Sequence, residues 1–204
     1  MLKQIKKKKI SNFNKLKYNI EIELNNVLHS FQKLSKNNLK IFENLIKESK
    51  SKIKKKKIIF CGNGGSASHA QHLACELVVR YQNNRKPINA ISLTTDTSNI
   101  TAIGNDFNFD FIFSRQLEAI GEKGDICIFL TTSGESKNIL EAAKVAIKKK
   151  ISCYSFSGKG GGKLKKIIKN NIIINSNITS AIQSSHLILG HIYCKELENF
   201  IIKK

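Results

Sequence analysis

The chain has 204 residues, 41% of them hydrophobic, and a formal net charge of +20. That length suits one domain with an appended helical piece, and with no run of about 18 apolar residues and no apolar stretch behind its basic start it reads as neither membrane-spanning nor secreted, so the expected location is the cytoplasm. The charge is almost all Lys, with only Arg80, Arg85 and Arg115 to make bidentate phosphate or base contacts; the Lys are read as solvated helix surface and a frayed N-terminal tail, and nucleic acid is not expected as a partner.

Apolar residues from Phe13 through Leu16, Ile20, Leu24, Val27, Leu28, Phe31 and Leu34 recur every three or four positions, which predicts a long amphipathic helix over 12–34. The same spacing through Leu39, Phe42, Leu45 and Ile46 predicts a second over 37–53. The period then changes. Apolar runs at 57–62, 88–93, 125–130, 151–156 and 171–175 read as strands, and the segments 66–82, 97–104, 110–120, 136–149, about 161–168 and 178–202 as helices. Buried strands alternating with helices predict a doubly wound α/β fold, a three-layer sandwich around a five-stranded parallel sheet. The expected division is a helical extension over 1–53, covering the sheet or contacting another subunit, and an α/β unit over 54–204. Five Cys (Cys61, Cys75, Cys127, Cys153, Cys194) include no C-x-x-C pair, so reduced thiols are expected rather than a disulfide framework.

In an open parallel sheet ligands bind beyond the carboxyl ends of the strands, and three loops are expected there. The first, Gly62-Asn63-Gly64-Gly65-Ser66, also satisfies G-x-G-x-x-A, but no acidic residue ends the next strand to hold a ribose, and no Gly-Lys-Ser/Thr closes it as a nucleotide loop. The second carries four hydroxyls, on Thr131, Thr132, Ser133 and Ser136, before a helix start. Such a loop caps the helix or holds an anion. Two loops of this kind in adjacent units favour a small phosphorylated ligand. The third, Ser157 to Gly162, reads as a flexible surface turn.

His72 and Glu76 stand four apart and share a helix face, a spacing that serves a surface hydrogen bond or a shared divalent ion. Gln183 and His191, eight apart on the last helix, can face one site, whereas His186 points elsewhere. His69 reads as a cap or surface group and His29 as structural. Asn105-Asp106 serve turn geometry or sugar hydroxyls.

The segments "CGNGGSASHAQHLACELVVRY", "LTTDTSNITAIGNDFNFDFIFSRQLEAIGEKGDI", "TTSGESKNIL" and "AIQSSHLILGHIYCKELE" together resemble the phosphoheptose isomerase branch of the sugar isomerase (SIS) domain family, over residues 12–200. The resemblance implies an aldose–ketose isomerase that converts sedoheptulose 7-phosphate to D-glycero-D-manno-heptose 7-phosphate for bacterial lipopolysaccharide. It implies that Asn63, Gly64, Gly65 and Ser66 contact substrate, that Asn105 and Asp106 hold its hydroxyls, and that Thr131, Thr132, Ser133 and Ser136 cradle its phosphate. His72, Glu76, Gln183 and His191 match the family's zinc ligands, with Gln183 also at the substrate and Glu76 and His191 as the acid/base pair. It further implies a homotetramer with sites shared between subunits. Glu135, Ala181 and Ser184 depart from the family pattern, which usually has Asn, Arg and Glu there. A non-catalytic relative that binds the bacterial replication initiator is the competing reading, and a sugar-phosphate-sensing regulator ranks last because no helix-turn-helix is appended.

Overall fold

The computed structural model describes residues 12–203; the Lys-rich start, expected to be a solvated tail, lies outside them. Two helices lead, α1 (Asn12–Gln32) and α2 (Lys36–Lys52), the second capped by the Ser35 hydroxyl, which accepts the Asn38 backbone N–H at 3.1 Å. Then come β1 (Ile58–Gly62), α3 (Gly65–Val78), β2 (Ala90–Ser92), α4 (Thr97–Asp106), α5 (Ser114–Ile120), β3 (Ile126–Leu130), α6 (Lys137–Lys148), β4 (Ser152–Ser157), α7 (Leu164–Ile167), β5 (Asn170–Ile173) and α8 (Thr179–Ile202). All pairings are parallel, in the order β2-β1-β3-β4-β5.

The alternation of side chains along the strands builds two cores. Ile58 and Phe60 of β1 with Ile126, Ile128 and Leu130 of β3 face α2, α3 and α8, meeting Phe42, Leu73, Leu77, Leu189 and Tyr193. Ile59, Cys61, Cys127 and Phe129 face the other way, onto Ile103 of α4, Leu117 of α5 and Ile139 and Ala143 of α6. Each such apolar side chain removed from water contributes roughly 1.5–3 kcal/mol, so the two faces together fix the three-layer sandwich. The cysteines are free thiols, with Cys61, Cys127, Cys153 and Cys194 buried as expected and Cys75 exposed.

The leading helices do different work. α2 belongs to the sheet's own core through Phe42 and Leu45, and the Asn38 side-chain amide donates to the Ile173 carbonyl of β5 at 2.8 Å. α1 rests on α8, where the Ser30 and Ser185 hydroxyls meet at 2.7 Å, and leaves Phe13, Leu16, Tyr18, Leu24 and Leu28 exposed.

Several boundaries differ from the sequence expectation, three of them for reasons the structure shows. β2 pairs only over Ala90–Ser92; it is an edge strand beside β1, entered from Pro87, which has no N–H to give. The segment expected to be helical from 110 opens with a single 3-10 turn, Phe109–Phe111, before α5. And α3 stops at Val78, not near 82, because the backbone N–H groups of Tyr81, Gln82 and Asn83 turn away to the carboxylate of Glu198 on α8.

His186 of α8 is buried, its Nε2 donating to the Ser157 carbonyl at 3.2 Å and its Nδ1 unpaired. Burial, partly offset by that hydrogen bond and reinforced by His69, pushes its pKa down to about 4. A depressed histidine pKa means the unfolded chain takes the proton first, so stability is complete above pH 6.5 and is lost as pH falls toward 4. At about 1.4 kcal/mol per pKa unit the loss by pH 4 is about 3 kcal/mol. Urea titrations should show His186→Leu losing close to one proton of this pH slope; an unchanged slope rules the assignment out.

Candidate functional site

The strand order reverses between β1 and β3: the chain leaves β1 outward to β2 and returns across it to β3. At such a switch point the two strand-to-helix loops diverge and leave a crevice. Here they line a cleft of about 70 Å³ with Asn63 and Ser66 from the first loop, Thr131, Thr132, Ser133 and Ser136 from the second, and Gln183 from α8. Seven residues read from the sequence as substrate contacts are thus brought together by one topological feature.

The second loop spends two hydroxyls on itself. Thr131 Oγ1 accepts the Gly134 N–H at 3.1 Å, and Ser133 Oγ accepts the Glu135 N–H at 3.2 Å. Ser136 occupies the N-cap of α6 without a side-chain capping bond, so the open end of that helix and the Ser136 hydroxyl both remain available to an anion. Glu135, whose charge would oppose a phosphate, turns out of the cleft: it accepts the Lys163 backbone N–H at 2.9 Å and pairs with the Lys163 ammonium at 2.9 Å, which holds its carboxyl below the usual range. The third loop is therefore a brace, not a free surface turn. The Leu164 N–H donates to the Gly134 carbonyl at 3.0 Å, tying it to the second loop.

Sequence reasoning missed Asn138. It lies in the first turn of α6, almost fully buried, and its amide exchanges two hydrogen bonds with Asn63: Asn63 Nδ2 donates to Asn138 Oδ1 at 2.8 Å, and Asn138 Nδ2 donates to Asn63 Oδ1 at 2.9 Å. The pair spans 75 residues and joins the first loop to the second. Its only sequence signal was a third polar residue close behind Ser136. Asn138→Leu strands both polar atoms of Asn63, and kcat/KM should fall about 10-fold while Asn63→Ala in that background adds little, the mark of residues acting as a unit.

The second half of the site forms where α3 crosses α8. Gly190 permits it: a methyl group there would stand 2.5 and 2.6 Å from the δ-carbons of Leu73. Their chain neighbours, His72 and His191, meet as a consequence, Nε2 to Nε2 at 2.9 Å with ring centroids 5.1 Å apart. Glu76 Oε1 lies 3.6 Å from His72 Nε2. Burial and the neighbouring His72 lower the pKa of His191 against the opposing pull of Glu76. His69, expected at the surface, is half-buried, and burial together with His72 and His191 lowers its pKa too; its position three residues before His72 placed it on the same face.

Gln183 sits apart from this cluster, about 12 Å along the axis of α8 from His191. Its amide covers Gly65, where a methyl group would stand 2.5 Å from Nε2, so it belongs to the loop cleft. Among the described residues no three His, Cys, Asp or Glu side chains stand together as a complete ligand set. In kind the two imidazoles and the carboxylate fit zinc, and the amide of Gln183 stands apart from them at the loop cleft. The two facing Nε2 atoms at 2.9 Å form a hydrogen bond in which one ring donates and the other accepts. Asn105 and Asp106 lie at the exposed end of α4, bonded to one another at 2.8 Å; Asp106 lines a different hollow, beside Phe107 and Arg115, so the chain does not bring this pair to its own cleft.

Comparison with known proteins shows the family. Residues 21–158 match the model of the SIS domain. Phosphoheptose isomerase from Campylobacter concisus is 49% identical over 143 residues, 70% of this chain and 76% of that protein. The enzyme of the same name from Paramagnetospirillum magneticum is 50% identical over 142 residues, 70% of this chain and 74% of that one. Among solved structures, phosphoheptose isomerases from Francisella tularensis (TM-score 0.83, 28% identity, 93% of this chain and 100% of that one) and Neisseria gonorrhoeae (TM-score 0.80, 33% identity, 88% and 98%) share its whole architecture. The chain belongs to the SIS domain family, among its phosphoheptose isomerases.

Proposed function

We propose that this chain interconverts sedoheptulose 7-phosphate and D-glycero-D-manno-heptose 7-phosphate through an enediol, supplying heptose for bacterial lipopolysaccharide. The observation that carries the reading is the approach of Glu76 and His191 to His72 at the α3–α8 crossing, about 12 Å along α8 from a cleft of hydroxyls and a helix N-terminus. The cleft holds the 7-phosphate through Ser136, Thr132 and the open end of α6, with Asn63, Ser66 and Gln183 along the sugar. Glu76 takes a proton from C1 of the ketose; the C1–H electron pair becomes the C1–C2 double bond of the enediol as the C2 carbonyl oxygen gains a proton from His191. Proton return to C2 and loss of the O1 proton give the aldose, with no net change in atoms. His72, Glu76 and His191 would hold zinc, with Gln183, which the family resemblance adds to the set, about 12 Å along α8 from His191; when bound, zinc would supply charge stabilisation for the enediolate oxygens.

The assembly reading is a homotetramer. A groove of about 550 Å³ between α1 and α8, lined by Leu24, Val27, Leu28, Phe31, Ile188 and Ile192, supports it, and the exposed Asn105 and Asp106 are read as serving another subunit's cleft. Five free thiols suit a reducing cytoplasm, and among the described residues no helix is long and apolar enough to cross a membrane. The competing reading, a non-catalytic protein that binds the replication initiator, has no use for a Glu76–His72–His191 meeting.

Purified protein incubated with sedoheptulose 7-phosphate, with and without added zinc, should produce the aldose. Absence of turnover together with capture of an initiator protein would overturn the enzyme reading.

A further inference from the structure

Below the histidine pair lies a buried charge that the isomerisation itself does not use. Glu198 is seven residues, two turns, beyond His191 and so on the same face of α8, about 10 Å away. Its carboxylate gathers one peptide segment: Oε2 accepts the Tyr81 N–H at 2.8 Å, while Oε1 accepts the Gln82 N–H at 2.9 Å, the Asn83 N–H at 3.0 Å and the Asn83 side-chain amide at 3.3 Å. Arg85, its side chain 1% exposed, adds its Nε at 3.6 Å from Oε2. Burial alone would raise the Glu198 pKa, but the three peptide N–H groups outweigh it and the carboxyl titrates below its usual range.

Both ends of this segment touch the site. Tyr81 lays its ring 5.6 Å from that of His191, at 35°. Arg85 Nη2 donates to the backbone carbonyl of Glu76 at 2.7 Å, closing the last turn of α3. One carboxylate thus sets the neighbour of the acid and, through Arg85, the backbone of the base. We propose that Glu198 is a positioning residue for the His191–Glu76 site, acting through Tyr81 and Arg85 and never touching substrate. This rests on the isomerase reading for its kinetic arm alone.

The test uses the full chain. Glu198→Gln keeps shape but turns one acceptor into an NH₂ that faces the Tyr81 N–H and the Arg85 Nε. The expected result is a kcat about 10- to 100-fold lower with KM for sedoheptulose 7-phosphate little changed, and zinc affinity, read by chelator competition, reduced by a similar factor. Glu198→Asp, which keeps the charge, should recover part of both. Tyr81→Ala should reproduce the loss and Tyr81→Phe, retaining ring and peptide N–H, should rescue it. The second readout needs no turnover: histidine ring ¹H–¹⁵N spectra should move the His191 signals in Glu198→Gln and Tyr81→Ala while those of His29 stay. If the wild type has no isomerase activity, the spectra and zinc binding still decide. Unmoved His191 signals and unchanged zinc affinity in Tyr81→Ala, at retained fold, overturn the proposal even where Glu198→Gln fails to fold.

Discussion

Glu76→Gln lowers kcat/KM for sedoheptulose 7-phosphate by about 10³-fold and leaves the melting temperature within about 2 °C of wild type, given what a positioned general base contributes. The amide has the same shape and can still sit 3.6 Å from His72, but it has no basic lone pair to take the C1 proton. The side chain is one-fifth exposed and anchors none of the core, so folding does not depend on its charge. Solvent-deuterium incorporation separates the roles: a variant lacking the base should also lose exchange of the C1 proton. Retained exchange would move the base elsewhere and leave Glu76 as a ligand only.

Gly190→Val has the second largest effect, and through packing. The new side chain would occupy space held by Leu73, in the centre of the α3–α8 contact, with approach distances no carbon pair adopts. Overpacking of this kind costs about 1–3 kcal/mol, which for a chain of this size lowers the melting temperature by roughly 2–12 °C. The loss of activity should exceed what the loss of folded protein explains, because separating the helices separates His72 from His191. Leu73→Ala in the same chain empties the contested space, so the double variant should recover stability relative to Gly190→Val. Additive losses in the two variants would show that the helices do not meet there as described.

How much of this was open to sequence reading depended on how far apart the deciding residues lie. β1 and β3 were legible because each is apolar on both faces, which only a covered parallel sheet demands. The two loops of the cleft were legible because their Gly and hydroxyl residues are contiguous, and the approach of His72 to Glu76 because they stand four apart on one helical face, whereas Gln183 and His191 are not brought together. The end of α3 was not: the peptide groups of Tyr81 to Asn83 are drawn out by Glu198, 117 residues beyond Tyr81, and no local propensity reports that. Glu135 stood only as a departure from the family pattern until Lys163, 28 residues on, supplied its partner. The glycines after β4 looked loose because their contact is with the second loop. Asn138 passed unnoticed because a lone Asn early in a helix reads as surface, and its partner is 75 residues earlier.

The Asn63–Asn138 pair has one more consequence. Each amide gives one N–H and takes one, so turning either over sets donor against donor and acceptor against acceptor and loses both bonds together. The two amides therefore turn over only together, and while the pair holds, Asn63 keeps one N–H and one oxygen lone pair free at the cleft. Neither amide carries charge or titrates, so this clamp between the two loops holds alike in acid and in base, whatever happens to the imidazoles beyond it.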